Sequence, residues 1–450
     1  MTHRNALVAE TRRVLRHGLP LIAAQVLSIA NGLVDTLVAG RLGPNALGAV
    51  AVGAGVIFFV TIAGIGLMAA LSPTMAALRG QGRRAEVGVV FRQGVWMALA
   101  FGLAGFLLAW WVRHQVGDWG IDPALLPSLH AYLDAIKWSL PPAILLLAAR
   151  NVCEATGRTR QVLLVQIAGV VINAVANVVL GLGVGLARFG FEPLGISGIA
   201  WSTVIVQLST CAVLYAVLRQ PTFTRFALYR PMERPNTQHL RKLLALSAPI
   251  ALTLLAEAGL FLATAIQMAQ FGVVEAGAHN IAITMTAVFY MLPLGLSFAL
   301  TARVGTAFGR GWWPGVRLRV VVGLLVATGF SVASAIVLVV FREPITAMFT
   351  ADANVATLAT HLLLLAAVFQ ISDGLQASLL GLLRGLQDTR LPMLINIFSY
   401  WGVGFGVGWT AANVAGFGPA GLWFGLIAGL SVSAGLQGWR LRKQVWGRAI

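Results

Sequence analysis

Three acidic residues, Asp35, Glu257 and Asp373, stand in the middle of long apolar runs with no Lys or Arg one helical turn away. Carboxylates in that setting are rare, and they face a bundle interior or water rather than lipid. The partners that suit them are a proton or a small hard cation such as Na+, because hard ions prefer oxygen ligands. Ser28, Asn31 and Asp35 are spaced three and four apart and share one helix face. Asn173 and Asn177 are four apart on another segment, and Thr203 and Gln207 on a third. Together these side chains offer several neutral oxygens around Asp35. For the Asn and Thr residues alone, hydrogen bonding between membrane helices is the competing reading.

Thr253, Glu257, Phe261, Thr264 and Gln267 form a second stripe, and Asp373 has Gln370 and Gln376 on its own side of a helix. Tyr290 precedes Pro293 by three residues, where a proline breaks the helical hydrogen-bond ladder and frees backbone groups to line a cavity. Two carboxylates brought together here would hold a proton or metal ion between them. Asp134 and Lys137, three apart, read instead as a helix-surface ion pair. Met268, Met285 and Met291 read as packing or lipid-facing residues, with an adaptable drug pocket as the alternative. Cys153 and Cys211 lack metal-ligand spacing and read as small residues of apolar segments. No phosphate-cradling G-x-x-x-x-G-K-[ST] loop and no Ser-His-Asp set is present. The chain is therefore not expected to be an enzyme or to carry a cofactor, and an ion gradient is its expected energy source.

The elements that hold these groups follow from composition. Of 450 residues, 58% are hydrophobic and 10% charged, against about 45–50% and about 25% in a soluble domain. So little charge cannot cover a hydrated surface. Stretches of roughly 20 apolar residues cross the hydrocarbon as helices, because unpaired backbone groups are costly in lipid. On that template spans fall at 18–40, 48–78, 87–112, 129–152, 161–183 and 196–218. A second set falls at 243–270, 278–308, 320–341, 358–383, 391–412 and 419–439. The basic N-terminus before the first run resembles a secretory leader, but a run from Gly18 to Gly40 is too long for one and is kept as a span. The runs are also too long and uniform for barrel strands.

The net charge of +17 raises nucleic acid as a partner. Position excludes it: 27 of the 32 Lys and Arg fall in the termini and every second connection. Only Arg41, Arg113, Lys137, Arg188 and Arg342 fall in the others. That is the positive-inside rule with both termini cytoplasmic.

Residues 221–240 turn polar and divide the chain into an N-terminal six-helix lobe (1–220) and a C-terminal one (241–450). The halves repeat. At an offset of 229, Pro20 meets Pro249, and Gly43, Gly48, Gly66 and Gly80 meet Gly272, Gly277, Gly295 and Gly309. Thr159–Arg160 meets Thr389–Arg390 at 230. An even number of spans per half gives both halves the same orientation, with an axis along the membrane normal and a cleft between them. The expected fold is all-α and integral to the membrane: twelve transmembrane helices in two pseudo-symmetric bundles around a central cleft.

The 6 + 6 pattern, the proline and Asp35 of the first span, the Glu257 stripe, and Gln370–Asp373 followed by Arg384–Gly385–Leu386–Gln387–Asp388–Thr389–Arg390 resemble the MATE (multidrug and toxic compound extrusion) transporters, NorM-like branch. The resemblance implies a V-shaped pair of lobes that exchange inward Na+ or H+ for outward organic, mostly cationic and amphipathic drugs and dyes by alternating access. It places Asp35, Asn173, Asn177 and Thr203 at an N-lobe cation site, and Glu257 and Asp373 at a C-lobe one. It matches Phe261, Tyr290 and Asp352 to substrate or cation contacts. Where some members carry a Tyr one turn before the tenth-span acid, this chain has Phe369. The implied setting is the bacterial inner membrane, as a lipid-embedded monomer. A flippase for lipid-linked saccharides, from the same broad superfamily, is the alternative. Its anionic cargo fits poorly with acidic mid-span charges.

Overall fold

The computed structural model describes residues 3–185 and 192–447. Arg188 and Arg448, and the side chain of Arg4, fall outside the described part. Among the described residues, twelve helices are long and apolar enough to cross a membrane, and the chain is a multi-pass membrane protein. The first six are α1 (Asn5–Leu42), α2 (Pro44–Gly80), α3 (Glu86–Trp119), α4 (Leu126–Thr156), α5 (Thr159–Gly181) and α6 (Gly195–Val217). The second six are α7 (Thr237–Phe271), α8 (Val273–Gly309), α9 (Trp313–Val340), α10 (Ala353–Gly385), α11 (Arg390–Asn413) and α12 (Gly418–Trp446). Each expected span coincides with one of these helices, three of them overrunning its end by one or two residues. Leucines and valines that a soluble protein would bury, such as Leu37, Leu164, Leu325 and Val340, are exposed. That is the surface lipid requires.

The largest departure is at the start. α1 is helical well before the apolar run at 18, because the preceding turns are amphipathic rather than apolar. Their buried face carries Glu10, only 3% exposed. Its carboxylate accepts from Arg303 Nε at 3.0 Å and lies 3.5 Å from Arg319 Nε. A buried acid ringed by arginines thus fixes the opening of α1 to α8 and α9, while Val14 and Ile22 pack with Leu296 and Leu300.

Two compact units result, and they cross the sequence halves. One is Met1–Gln25 with Leu252–Ile450; the other is Val26–Ala251. The opening of α1 belongs to the unit built from the second half, and the opening of α7 to the unit built from the first. The repeated glycines explain how both are seated. A Cβ on Gly295 would collide with the backbone of Ile22, and one on Gly66 with the backbone of Ala251. Ile22 and Ala251 are themselves 229 apart, so the same close helix crossing is made in each unit by equivalent residues. Gly43 and Gly272 also match in role: each precedes a helix with positive φ, 113° and 144°, where a side chain would be strained.

The polar stretch 221–240 is packed rather than free. Phe223 and Phe226 are buried. Arg92 Nη2 meets Glu233 Oε1 at 2.5 Å, and Gln93 bonds to both Arg234 O and Asn236 N, at 3.1 Å and 2.8 Å. These contacts hold it against α3.

Candidate functional site

Within the unit Val26–Ala251, Asp35 of α1 is half-buried and faces α5 and α6. Its Oδ1 accepts from Asn173 Nδ2 at 3.1 Å and Asn177 Nδ2 at 2.7 Å, and its Oδ2 from the Thr203 hydroxyl at 3.3 Å. The asparagines reach it because a spacing of four residues puts both on one face. Asn177 also opens a widened helical turn, Asn177–Gly181, and widened turns of this kind are common at functional sites. The amide oxygens of Asn173 and Asn177, and that of Asn31 one turn before Asp35, are buried without a protein hydrogen bond. An asparagine can present either its oxygen or its nitrogen. Turning over the amides of Asn173 and Asn177 would convert two donors to the carboxylate into oxygen ligands for a cation. Tyr132 of α4 lies within electrostatic reach of Asp35. Gln207 is on the same helix as Thr203 and part-buried.

Within the other unit, Glu257 of α7 is 7% exposed and Asp373 of α10 is 3% exposed. The two carboxylates are within electrostatic reach of each other. Glu257 Oε2 accepts from the Tyr400 hydroxyl of α11 at 3.4 Å, and Tyr290 of α8 also bonds to Glu257. Gln376 Nε2 donates to Tyr400 Oη at 2.6 Å. Asp373 Oδ1 and both polar atoms of Gln370 are buried with no protein partner. Phe261, one turn beyond Glu257, stacks edge-on with Phe369 at 6.1 Å, and Phe369 with Trp423 at 5.8 Å. Phe369 leaves no hydroxyl one turn before Asp373. Tyr400, from a different helix, supplies one to Glu257 instead.

Among the described residues, none of Asp35, Glu257 and Asp373 pairs with Lys or Arg within 4.0 Å. Among the described residues, the guanidinium that acts on the second group is Arg384, buried in α10 and reaching Glu257, Tyr290 and Tyr400 through space. Asp134 behaves as an ordinary ion-paired acid, 2.8 Å from Lys137 and 3.2 Å from Arg113. Met268 is fully buried and Met285 packs against the same apolar cluster. Asp352 is exposed and caps α10, accepting from the backbone of Asn354 and Val355 at 2.8 Å and 3.0 Å. It is separated from Asp373 by 21 residues of helix, or about 31 Å along the axis, so the structure does not bring it to the Glu257 group.

Sequence reasoning missed Tyr400, Tyr132, Arg384 and the Glu10 cluster. Tyrosine is scarce here, five in the chain, and three of the five lie near a mid-span acid. That scarcity was the available signal.

A family model described as MatE matches residues 20–179 and 249–410. The chain is 35% identical over 438 residues to a probable multidrug resistance protein NorM of Xanthomonas campestris pv. campestris, covering 97% of this chain and 94% of the relative. It is 32% identical to the multidrug resistance protein MdtK of Yersinia pestis, covering 97% and 96%. Among solved structures, a crystal structure of a MATE in the straight conformation superposes with a TM-score of 0.89 at 16% identity, covering 97% of this chain and 96% of that one. At that identity the match speaks to the fold alone.

Proposed function

This chain belongs to the MatE family, and from that premise we propose that it is a secondary active multidrug efflux antiporter. Inward Na+ or H+ is exchanged for outward organic, mostly cationic amphipathic drugs by alternating access. The observation that carries the reading is the state of the three mid-span acids: Glu257 and Asp373 buried, Asp35 half-buried, in two groups, and among the described residues without a cationic side chain against them. An acid in low dielectric with no counter-charge gains most from an arriving cation. A drug cation and a coupling cation compete for the same negative charge. Binding of the coupling ion on one side of the membrane therefore displaces the drug, and the difference in affinity between two states drives the exchange.

In the first group Asp35 is the cation ligand, with Asn173, Asn177 and Thr203 as neutral oxygens. In the second, Glu257 and Asp373 share the cation, Tyr290 and Tyr400 orient Glu257, and Phe261 offers a ring face to an aromatic or cationic drug. Asp352 supports the start of α10 instead of touching the ion. The protein sits in the bacterial inner membrane as a monomer with both termini in the cytoplasm, and works as a transporter rather than an enzyme.

The test is dye uptake into inverted membrane vesicles, with a Na+ gradient and a pH gradient imposed separately. Uptake driven by at least one gradient, and abolished when that gradient is collapsed, is the expected result. Uptake that needs ATP and neither gradient would remove the antiport reading.

A further inference from the structure

The interface between α11 and α12 changes character along its length. On the α12 face that meets α11, the residues run Gly425, Gly429, Ser433, Gln437, Arg440 and Gln444, at helical spacings of four and three. The outer part is sealed by glycine: a Cβ on Gly425 would collide with the backbone of Gly408, and one on Gly429 with that of Gly404. Below that seal the interface is polar. Ser433 Oγ donates to Asn396 Oδ1 at 2.6 Å, and Gln437 Nε2 reaches Asn396 Oδ1 at 2.5 Å and Ser433 Oγ at 2.8 Å. Arg440 Nε and Gln444 Nε2 both bond to Asp388 Oδ2, at 2.7 Å and 2.6 Å.

This polar row begins at the second carboxylate group. Tyr400 bridges Gln376 and Glu257. Ser399 is its chain neighbour, and Asn396 lies one turn below it on α11. Gln376, Ser399, Tyr400, Asn396, Ser433 and Gln437 all have 0% exposure. Yet Gln376 Oε1, Ser399 Oγ, Asn396 Nδ2 and Gln437 Oε1 have no protein hydrogen-bond partner. A buried polar atom left unsatisfied is costly. A patch meant only to glue two helices would pair its atoms or be apolar. Four unpaired atoms on residues joined by these bonds and by helical neighbourhood, mixing donors and acceptors, are what a file of water molecules satisfies.

We propose that the inner half of the α11–α12 interface holds a hydrated polar file through which the coupling proton leaves the Glu257–Asp373 group. The inference rests on the antiporter reading above and selects H+ as the ion released at that group. The proton leaving Glu257 enters Tyr400 Oη as the hydroxyl's own proton passes to a water molecule of the file, because Gln376 Nε2 donates to that hydroxyl and cannot accept from it. One proton emerges at Asp388, and Glu257 is left as a carboxylate. The glycine seal above Ser399 keeps the file from continuing outward. Asp388 and Arg440, part-exposed at the basic end of α12, form its mouth.

Substituted cysteines test the file directly. In a Cys153→Ala, Cys211→Ala background, Ser433→Cys is compared with Ala299→Cys, an equally buried position on α8 away from the row. Inverted vesicles are treated with silver ion, and the thiols that remain are counted with a fluorescent maleimide after denaturation. Ser433→Cys is expected to be consumed at least about tenfold faster than Ala299→Cys. In parallel, Gln437→Leu should lower pH-driven dye uptake about tenfold and leave the dye affinity of the purified protein within about twofold. Equal silver reactivity at the two positions overturns the proposal. So does parental pH-driven uptake by Gln437→Leu, or a parent driven by Na+ alone. If Gln437→Leu does not fold, the cysteine pair still decides. If the parent shows no gradient-driven transport while Ser433→Cys reacts fast, the antiporter reading fails and the hydrated row stands.

Discussion

The two carboxylate groups are built on equivalent helices but at different positions along them. With the repeat offset of 229, Asp35 of α1 corresponds to Thr264 of α7, and Glu257 of α7 to Ser28 of α1. The acids have therefore settled seven residues apart on the repeated helix, about 10 Å of rise. Their surroundings differ as much. Asp35 is a single charge met by three neutral donors. Glu257 shares its unit with a second acid whose Oδ1 finds no partner. Duplication reproduced the crossings and turns of the scaffold and left the chemistry free to diverge. The Asp35 carboxylate is satisfied by its neighbours as it stands, whereas Asp373 is under-coordinated and has more to gain from a cation.

The largest effect should come from the second group. Asp373→Asn and Glu257→Gln each lower gradient-driven dye efflux by at least about 100-fold, equivalent to about 2.7 kcal/mol, at equal expression. Asp35→Asn keeps a side chain of the same shape among the same neighbours, so its loss is smaller, about tenfold in the same assay. The reverse ranking would break the contrast and make the α1 acid the main coupling site. Tyr400→Phe removes one hydroxyl from Glu257 and weakens coupling-ion binding by about 0.5–1.5 kcal/mol, measured as competition between ion and dye on purified protein. An unchanged ion affinity would show that Tyr400 only fills space. Asp352→Ala is the smallest change. Loss of the helix cap lowers stability by about 1 kcal/mol, read in a thermal melt, with efflux within about twofold of the parent. A collapse of efflux there would return Asp352 to the transport pathway.

The spans were legible because lipid imposes one simple demand, a long apolar helix, on every one of them. The Asp35 group was legible for a related reason: Asn173 and Asn177 declare a shared face by their spacing. Tyr400 was marked only by the scarcity of tyrosine in the chain. Its partner Glu257 is 143 positions away in the chain, and only packing reveals the pair. Glu10 was hidden by its neighbours, since an acid among Arg12, Arg13 and Arg16 reads as part of a hydrated basic tail. Its true partners, Arg303 and Arg319, come from the other half of the sequence. Asp352 carries two readings. The family resemblance implies a contact with ion or drug, and its place before α10 makes it a helix cap.

The exchange of helix openings between the sequence halves bears on how such a chain arose. Each half carries its own copy of the opening segment, yet each unit is completed by the copy that the other half supplies. Two separate six-helix chains could make the same exchange between molecules, which is the arrangement expected if the present chain is a fused pair.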